Sequence, residues 1–162
     1  KELRGVDAIG QICESTLSLA RGTWFTNLSQ GSDIADMYWR YLGSPWFSGL
    51  VMIEMIRLSS TPSKPRKGSK AITPMVCINR VNQVGIPSFE LINCHLPISV
   101  DIELEGIGNW KGMLSVFIPT VDELNAERVQ AEKRNSYIEA IANSYAAQSE
   151  LTDEKLRDLL KG

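Results

Sequence analysis

Few residues of this 162-residue chain have side chains suited to covalent or acid–base chemistry: one histidine, His95, and three cysteines, Cys13, Cys77 and Cys94. Cys94 beside His95 is the one pair that could supply a thiolate and its base. Adjacent residues on a strand point to opposite faces, however, and share a proton poorly. The expectation is therefore a buried Cys94 next to a surface His95, because free cysteine behaves mainly as a small core hydrophobe. Three cysteines without a C-x-x-C pair, and with one histidine, build no tetrahedral zinc site by spacing, so neither a metal nor a cofactor is expected. The odd cysteine count, with no charged-then-apolar leader, favours a reducing compartment.

Paired carboxylates are the second resource. Asp101, Glu103 and Glu105 alternate with Ile98, Val100, Ile102 and Leu104, and such acids can run general acid–base chemistry. No His, Arg or Lys stands beside them in sequence, so they read as the wet face of a strand whose other face is core. Gly106-Ile107-Gly108 begins like a dinucleotide loop, but Lys111 stands where the third glycine is needed and a strand follows instead of a helix. No G-x-x-x-x-G-K-[ST], G-x-S-x-G or H-E-x-x-H pattern occurs, and no enzyme is expected. Asn27-Leu28-Ser29 has the form of a glycosylation site without a secretory context.

Charge is the more specific signal. Residues 59–70 read Ser-Ser-Thr-Pro-Ser-Lys-Pro-Arg-Lys-Gly-Ser-Lys, so Lys64, Arg66, Lys67 and Lys70 place +4 within seven positions and no acid among them. Pro62 and Pro65 exclude a helix and nothing apolar is present to bury, which predicts an exposed, mobile loop. Most basic loops are only solvated. This one is the leading candidate for contact with anionic lipid or RNA phosphate, where each basic residue near an anionic membrane contributes about 1 kcal/mol. The whole chain has 17 bases, 19 acids and a formal net charge of −2. That balance excludes a bulk polycation that coats nucleic acid.

The elements that must carry these groups follow from periodicity. At 43% hydrophobic residues, the length suits one domain with a core. No apolar run approaches the roughly 20 residues that span a bilayer. The chain opens at Lys1 instead of Met, which leaves room for a preceding segment. Residues 11–20 alternate Cys13, Ser15, Leu17 and Leu19 against polar neighbours and predict a strand, although Val6, Ile9 and Ile12 suit a short helix. Ser32 caps a helix with Asp33 and Asp36 near its positive end and Ile34, Met37, Tyr38, Tyr41 and Leu42 at helical spacing. Gly43 ends it, and Ser44-Pro45 opens a second helix, Pro45 to Leu58, that is apolar nearly all round. Such a helix is the buried centre of a fold; a membrane- or partner-binding helix is the sharper alternative.

From Ile72 to Ile118 the period is two residues, with strands at Met75–Val81, Phe89–Leu96, Ile98–Glu105 and Lys111–Ile118 and turns at Gly85-Ile86-Pro87 and Gly106–Asn109. Thr120 and Glu123 form a capping box that opens a helical C-terminal region, with Ile138, Ile141, Ala142 and Tyr145 as its apolar stripe and Thr152 capping a last short helix. Residues 121–162 hold nine acids and six bases, opposite in sign to the 64–70 loop. The expected fold class is α+β: an antiparallel sheet of four to five strands packed against two central helices, with a C-terminal helical segment. Residues 1–120 form the core domain, and 121–162 pack on that core or on a neighbouring copy.

Ser32-Asp33-Ile34 opening a helix with Tyr38, the short Gly43-Ser44-Pro45 link, and the Trp46-Phe47 to Leu58 helix followed by a Ser/Pro loop resemble the central region of rhabdovirus matrix proteins. Trp110-Lys111-Gly112, the alternating strand to Ile118 and Val121-Asp122-Glu123-Leu124 are similar to that family's last strand and the start of its C-terminal segment. The similarity runs from Gly31 to Leu124, interrupted between Ile72 and Pro97, and is one of element order and scattered identities; a divergent member, such as one from a plant virus, would fit. The resemblance implies a non-enzymatic protein that self-associates beneath the viral envelope, condenses the nucleocapsid and links it to membrane during budding. Its partners would then be further copies of itself, the viral nucleocapsid, the anionic membrane surface and host factors. Its places would be the virion beneath the envelope, the host cytoplasm and the inner membrane surface.

In that family the loop after the second helix is exposed and associated with membrane contact or self-association; the matching positions are Pro62 to Lys70. The expectation is that Lys64, Arg66, Lys67 and Lys70 meet anionic lipid or nucleocapsid, and that Trp46, Phe47, Pro62 and Pro65 serve self-association. The family's basic N-terminal arm and proline-tyrosine budding motif have no counterpart here, and the pI of about 5.5 is low for the family, so the loop must carry more of the anionic-surface binding. The alternative is a monomeric adaptor that binds RNA or a host factor through the 64–70 loop.

Overall fold

Alternation of Ile98, Val100, Ile102 and Leu104 with polar residues makes one strand the spine of the molecule. The computed structural model describes residues 6–24, 26–64 and 67–159, with the side chains of 8–148 among them. In chain order the elements are α1 (Val6–Ser18), α2 (Ile34–Tyr41), α3 (Phe47–Ser60), β1 (Ile78–Gly85), β2 (His95–Leu104), β3 (Gly108–Phe117) and α4 (Val121–Leu159). The fold is α+β, and its sheet is antiparallel in the order β1-β2-β3.

Three strands stand among the described residues, fewer than the four to five expected, because residues 11–18 are helical and Phe89–Cys94 stay outside the sheet, leaving His95–Leu104 as one strand. Met75 to Cys77 form a turn instead of opening the first strand, which runs on through Gly85. Phe89 to Cys94 stay irregular because Asn93 and Cys94 adopt left-handed φ of 53° and 63°, which no strand accommodates. β2 and β3 pair without interruption from His95 opposite Phe117 to Leu104 opposite Gly108. Gly106 and Gly108 take positive φ in their hairpin turn, a conformation cheap for glycine. β1 carries two register shifts against β2, and each adds a residue, so Ile78, Val81 and Val84 face the core at a spacing of three instead of two.

Residues 11–20 are the clearest departure from the sequence reading: they are helical almost throughout. Ile9, Cys13 and Leu17 are all buried, and their four-residue spacing aligns them on one helix face. That face outweighs the local alternation that suggested a strand. α1 lies against β3 and also dresses its edge: the Glu14 carboxylate accepts from the Ser115 N–H at 2.8 Å, and Ser18 Oγ accepts from the Phe117 N–H at 2.9 Å. Unpaired edge groups invite foreign strands, and these two are occupied.

α3 lies against β1, and α2 packs on α3 and α1. Phe47, Val51, Met55 and Leu58 face the sheet's Leu96, Ile98, Val100 and Ile102, and all belong to one core. α3 begins at Phe47, two residues later than the Pro45 expected. The Ser32 hydroxyl does not cap α2 in the ordinary way; it donates to the Leu17 carbonyl and accepts from the Ile34 N–H at 3.3 Å, while Asp33 occupies the cap position. Gly43, at φ 75°, follows α2 as expected.

Thr120 and Glu123 form the anticipated capping box, with the Thr120 N–H and hydroxyl each 2.9 Å from Glu123 Oε2. α4 then runs 39 residues without a break at Thr152, a length of roughly 58 Å at 1.5 Å per residue. Leu124 and Ala131 are buried, Arg128 pairs with Asp36 of α2, and Arg134 donates to the Thr23 carbonyl. From Glu139 to Gln148 every residue is exposed.

Candidate functional site

α3 is apolar on nearly every side, yet it carries Glu54 and Arg57 three residues apart, and these two organise its C-terminal half. Glu54 is buried, with 4% of its surface exposed. Arg57 Nη2 meets Glu54 Oε2 at 2.8 Å, and Arg21 Nη2 meets Oε1 at 2.9 Å. Arg21 Nη1 also reaches Asp33 Oδ2 at 2.8 Å. Two arginines and two acids thus close a neutral knot between α3 and the loop that follows α1. Burial works against the Glu54 charge, but hydrogen bonding and charge from Arg57, joined by Arg21, more than offset it and hold the carboxyl below its usual range. Asp33 goes the other way: burial pushes its carboxyl up, and Arg21 only partly opposes this.

Arg57 extends the knot by donating to the Ser29 and Gly31 carbonyls. Gly31 is required here: it has φ 90°, and a Cβ would stand 2.5 Å from the Leu19 carbonyl oxygen. The same stretch then clamps the cationic loop. Ser63 is buried, its N–H donates to the Ile72 carbonyl at 2.8 Å, and its hydroxyl donates to Asn27 Oδ1 at 3.0 Å. The Lys64 N–H donates to Ser29 Oγ at 2.6 Å, and the Ile72 N–H to Ser63 Oγ at 3.1 Å. Asn27 is therefore a buried structural acceptor, and its tripeptide is part of the clamp.

The loop leaves this clamp with its cations outward. Lys64, Lys67 and Lys70 are exposed, and among the described residues no acid pairs with any of them. Pro62 is exposed as well; Pro65 and Arg66 lie outside the described residues. Lys64 stands on the rim of a recess of about 160 Å³ that Arg21, Gln30, Arg57, Pro62 and Ser63 also line. Trp46 is 78% exposed and free for contact, whereas Phe47 is fully buried. Phe47 is thus removed from the self-association set: its ring sits 5.6 Å from Phe89 and 6.2 Å from Tyr38 inside the core. One residue of helix rotation separates the two neighbours.

Among the described residues the chemistry-bearing groups elsewhere do not converge. Cys94 is exposed, not buried as expected, because the strand starts only at His95 and Cys94 occupies a left-handed turn. His95 places Nδ1 2.7 Å from the Asn93 carbonyl and its ring against Phe117. Asp101 lies six residues further along β2, roughly 20 Å away at the rise of a strand. It is held at 2.8 Å by Lys111 and at 3.1 Å by Asn82, and the Lys111 hydrogen bond heads the causes that lower its pKa. Lys111 is the base that sequence adjacency hides and strand register supplies, since it pairs directly opposite Asp101. Cys13 lies in the core, where burial pushes its thiol up to about 12. Among the described residues no group of His, Cys, Asp and Glu is arranged to hold a metal ion.

Comparison with known proteins finds no matching family model, curated relative or solved structure. Among the described residues no helix is long and apolar enough to cross a membrane.

Proposed function

We propose that this protein is a structural assembly protein of the rhabdovirus matrix type, which associates with its own kind and bridges a nucleocapsid to the anionic inner surface of an envelope. The observation that carries this reading is the loop after α3: a clamped base from which Lys64, Lys67 and Lys70 project, paired with no acid among the described residues. A loop held at both ends presents its charges at lower entropic cost than a free tail. Arg66 belongs to the same set by sequence. The order of helix, helix, exposed loop, antiparallel strands and C-terminal helix supports the resemblance, and the exposed distal part of α4, with Pro62 beside the loop, is the surface assigned to neighbouring copies. Each contact is weak alone; many copies on one layer make the attachment strong.

The test is pelleting with vesicles of phosphatidylcholine and phosphatidylserine, alongside light scattering over a concentration series. The wild type is expected to pellet, to release with added salt and to grow in mass with concentration. A variant with Lys64, Arg66, Lys67 and Lys70 all changed to Ala is expected to lose the salt-sensitive binding. Equal binding by both, or a monodisperse monomer at every concentration that holds RNA instead, would favour the adaptor.

A further inference from the structure

We propose that the outward face of α3, followed in the chain by the cationic loop, docks on an anionic lipid bilayer and seats Trp46, Ile53 and Ile56 in its interfacial layer. The inference rests on the anionic-surface reading above and assigns Trp46 to lipid instead of to a neighbouring copy.

A helix that is apolar all round can bury only one side against its own sheet. In α3 the inward side is Phe47, Val51, Glu54, Met55 and Leu58. The outward positions are 46, 49, 53, 56 and 60, and at 100° per residue they fall within an arc of about 80°. Trp46 is 78% exposed, Ile53 61% and Ile56 43%. Gly49 and Ser60 between them are small, so the three large side chains stand proud. This stripe is what an amphipathic element lying in the membrane plane presents, and Trp is the side chain best suited to the boundary between headgroup and chain.

Charge selects lipid over other occupants. Positions 37–89 contain seven bases, Arg40, Arg57, Lys64, Arg66, Lys67, Lys70 and Arg80, and one acid, giving +6; the other 109 residues contain ten bases and eighteen acids, giving −8. The lone acid is Glu54, which points inward and is held by two arginines. The outward face of α3 therefore presents no anion. Ile53 and Arg57 are one turn apart and neighbours on the helix surface, and Arg57 lines the recess whose rim carries Lys64. The apolar stripe thus adjoins, across Arg57, the recess from whose edge Lys64 opens the cationic loop. An RNA backbone would use the cations but gains nothing from Ile53 and Ile56; an anionic bilayer uses both, and stable peripheral attachment takes two such signals.

The test uses the full chain with phosphatidylcholine–phosphatidylserine vesicles in which the acyl chains are brominated, a contact quencher of Trp fluorescence. The wild type should be quenched on binding, and Trp46→Phe should lose most of that quenching while still pelleting. An Ile53→Ser/Ile56→Ser double variant, altered only at exposed positions, should partition about tenfold more weakly, with the remainder salt-sensitive. The four-alanine loop variant should show the reverse, a weak salt-insensitive remainder. Salt-sensitive pelleting without Trp46 quenching and with an unaffected double variant would overturn the stripe and leave the anionic-surface reading standing. Failure of every form to pellet would overturn both. A double variant that loses self-assembly but partitions normally would make the stripe a contact between copies and overturn the proposal, as would Trp46 quenching by an RNA oligonucleotide alone.

Discussion

Two sets of cations flank the end of α3, and they differ in what faces them. Arg21 and Arg57 meet Glu54 and Asp33 at 2.8–2.9 Å and donate to carbonyls of the 29–31 turn. Lys64, Lys67 and Lys70 begin only a few residues on, yet they meet no acid among the described residues. Both neutralised cations are arginines, and three of the loop's four are lysines, with Arg66 the fourth. Arginine's planar fork satisfies several fixed acceptors at once, whereas lysine is a hydrated point charge on a flexible stem, suited to a yielding anionic surface. The contrast teaches that positive charge serves the fold where it is neutralised internally and is left for a partner where it is not.

Breaking the neutral set should have the largest effect. Glu54→Gln keeps the shape and removes the charge that two arginines share, so it should destabilise the fold by roughly 3 kcal/mol in urea unfolding at neutral pH, since one partner of a buried pair is lost. The pH dependence sharpens this. Glu54 has a folded-state pKa below its unfolded one, so its contribution is full above the ordinary carboxylate range and is lost as pH falls through the folded value. The gap between wild type and Glu54→Gln should therefore shrink on acidification. Asp33, shifted upward, carries the opposite slope: its share is present at low pH and lost as pH rises through its folded value. A gap that stays constant across this range would remove the knot from the account of stability.

How much of this was legible beforehand depends on whether one periodicity spoke alone. The β2–β3 hairpin and the capping box could be read directly, because Ile98 to Leu104 alternate cleanly and Thr120-x-x-Glu123 has one interpretation. α1 could not, because Cys13 and Leu17 fit both a two-residue and a four-residue repeat, and only packing on β3 decides between them. β1 hid its register shifts, which turn a period of two into three. In the candidate site the cationic loop was plain from composition. The knot was not: Arg21 and Glu54 are 33 positions apart, and the cue was Glu54 and Arg57 standing at helical spacing inside an otherwise apolar run. Phe47 reads as an interface residue although it is buried, because an all-apolar helix gives no sequence sign of which side faces in.

The loop change comes next in size, and it separates stability from attachment. Replacing Lys64, Arg66, Lys67 and Lys70 by Ala should leave unfolding within about 0.5 kcal/mol of wild type, as for exposed substitutions in general. Vesicle affinity should fall by as much as three decades if each cation contributes about 1 kcal/mol. A smaller effect is expected at Arg128, which ties α4 to Asp36 of α2. Arg128→Ala should cost under about 1 kcal/mol of global stability, as expected of a part-exposed pair, yet quicken amide exchange over the first turns of α4, because few other contacts hold that helix down. Unchanged exchange there would mean that Leu124 and Ala131 suffice as anchors.

The smallest effect tests the comparison from the side of geometry. Lys111 and Asp101 approach as closely as the partners in the knot, at 2.8 Å. Were distance the deciding quantity, Lys111→Ala should be as disruptive as Glu54→Gln. Lys111 is exposed, though, and the pair stands on the solvent face of β2 and β3, where water competes for both charges and salt screens them. Asp101 also keeps its hydrogen bond from Asn82 when the lysine is gone. Lys111→Ala should accordingly leave the thermal midpoint nearly unchanged and respond little to added salt. A midpoint shift approaching that of Glu54→Gln would show that proximity, not burial, sets the worth of an ion pair in this protein, and the distinction between its two sets of cations would then have to rest on the partners they meet outside the chain.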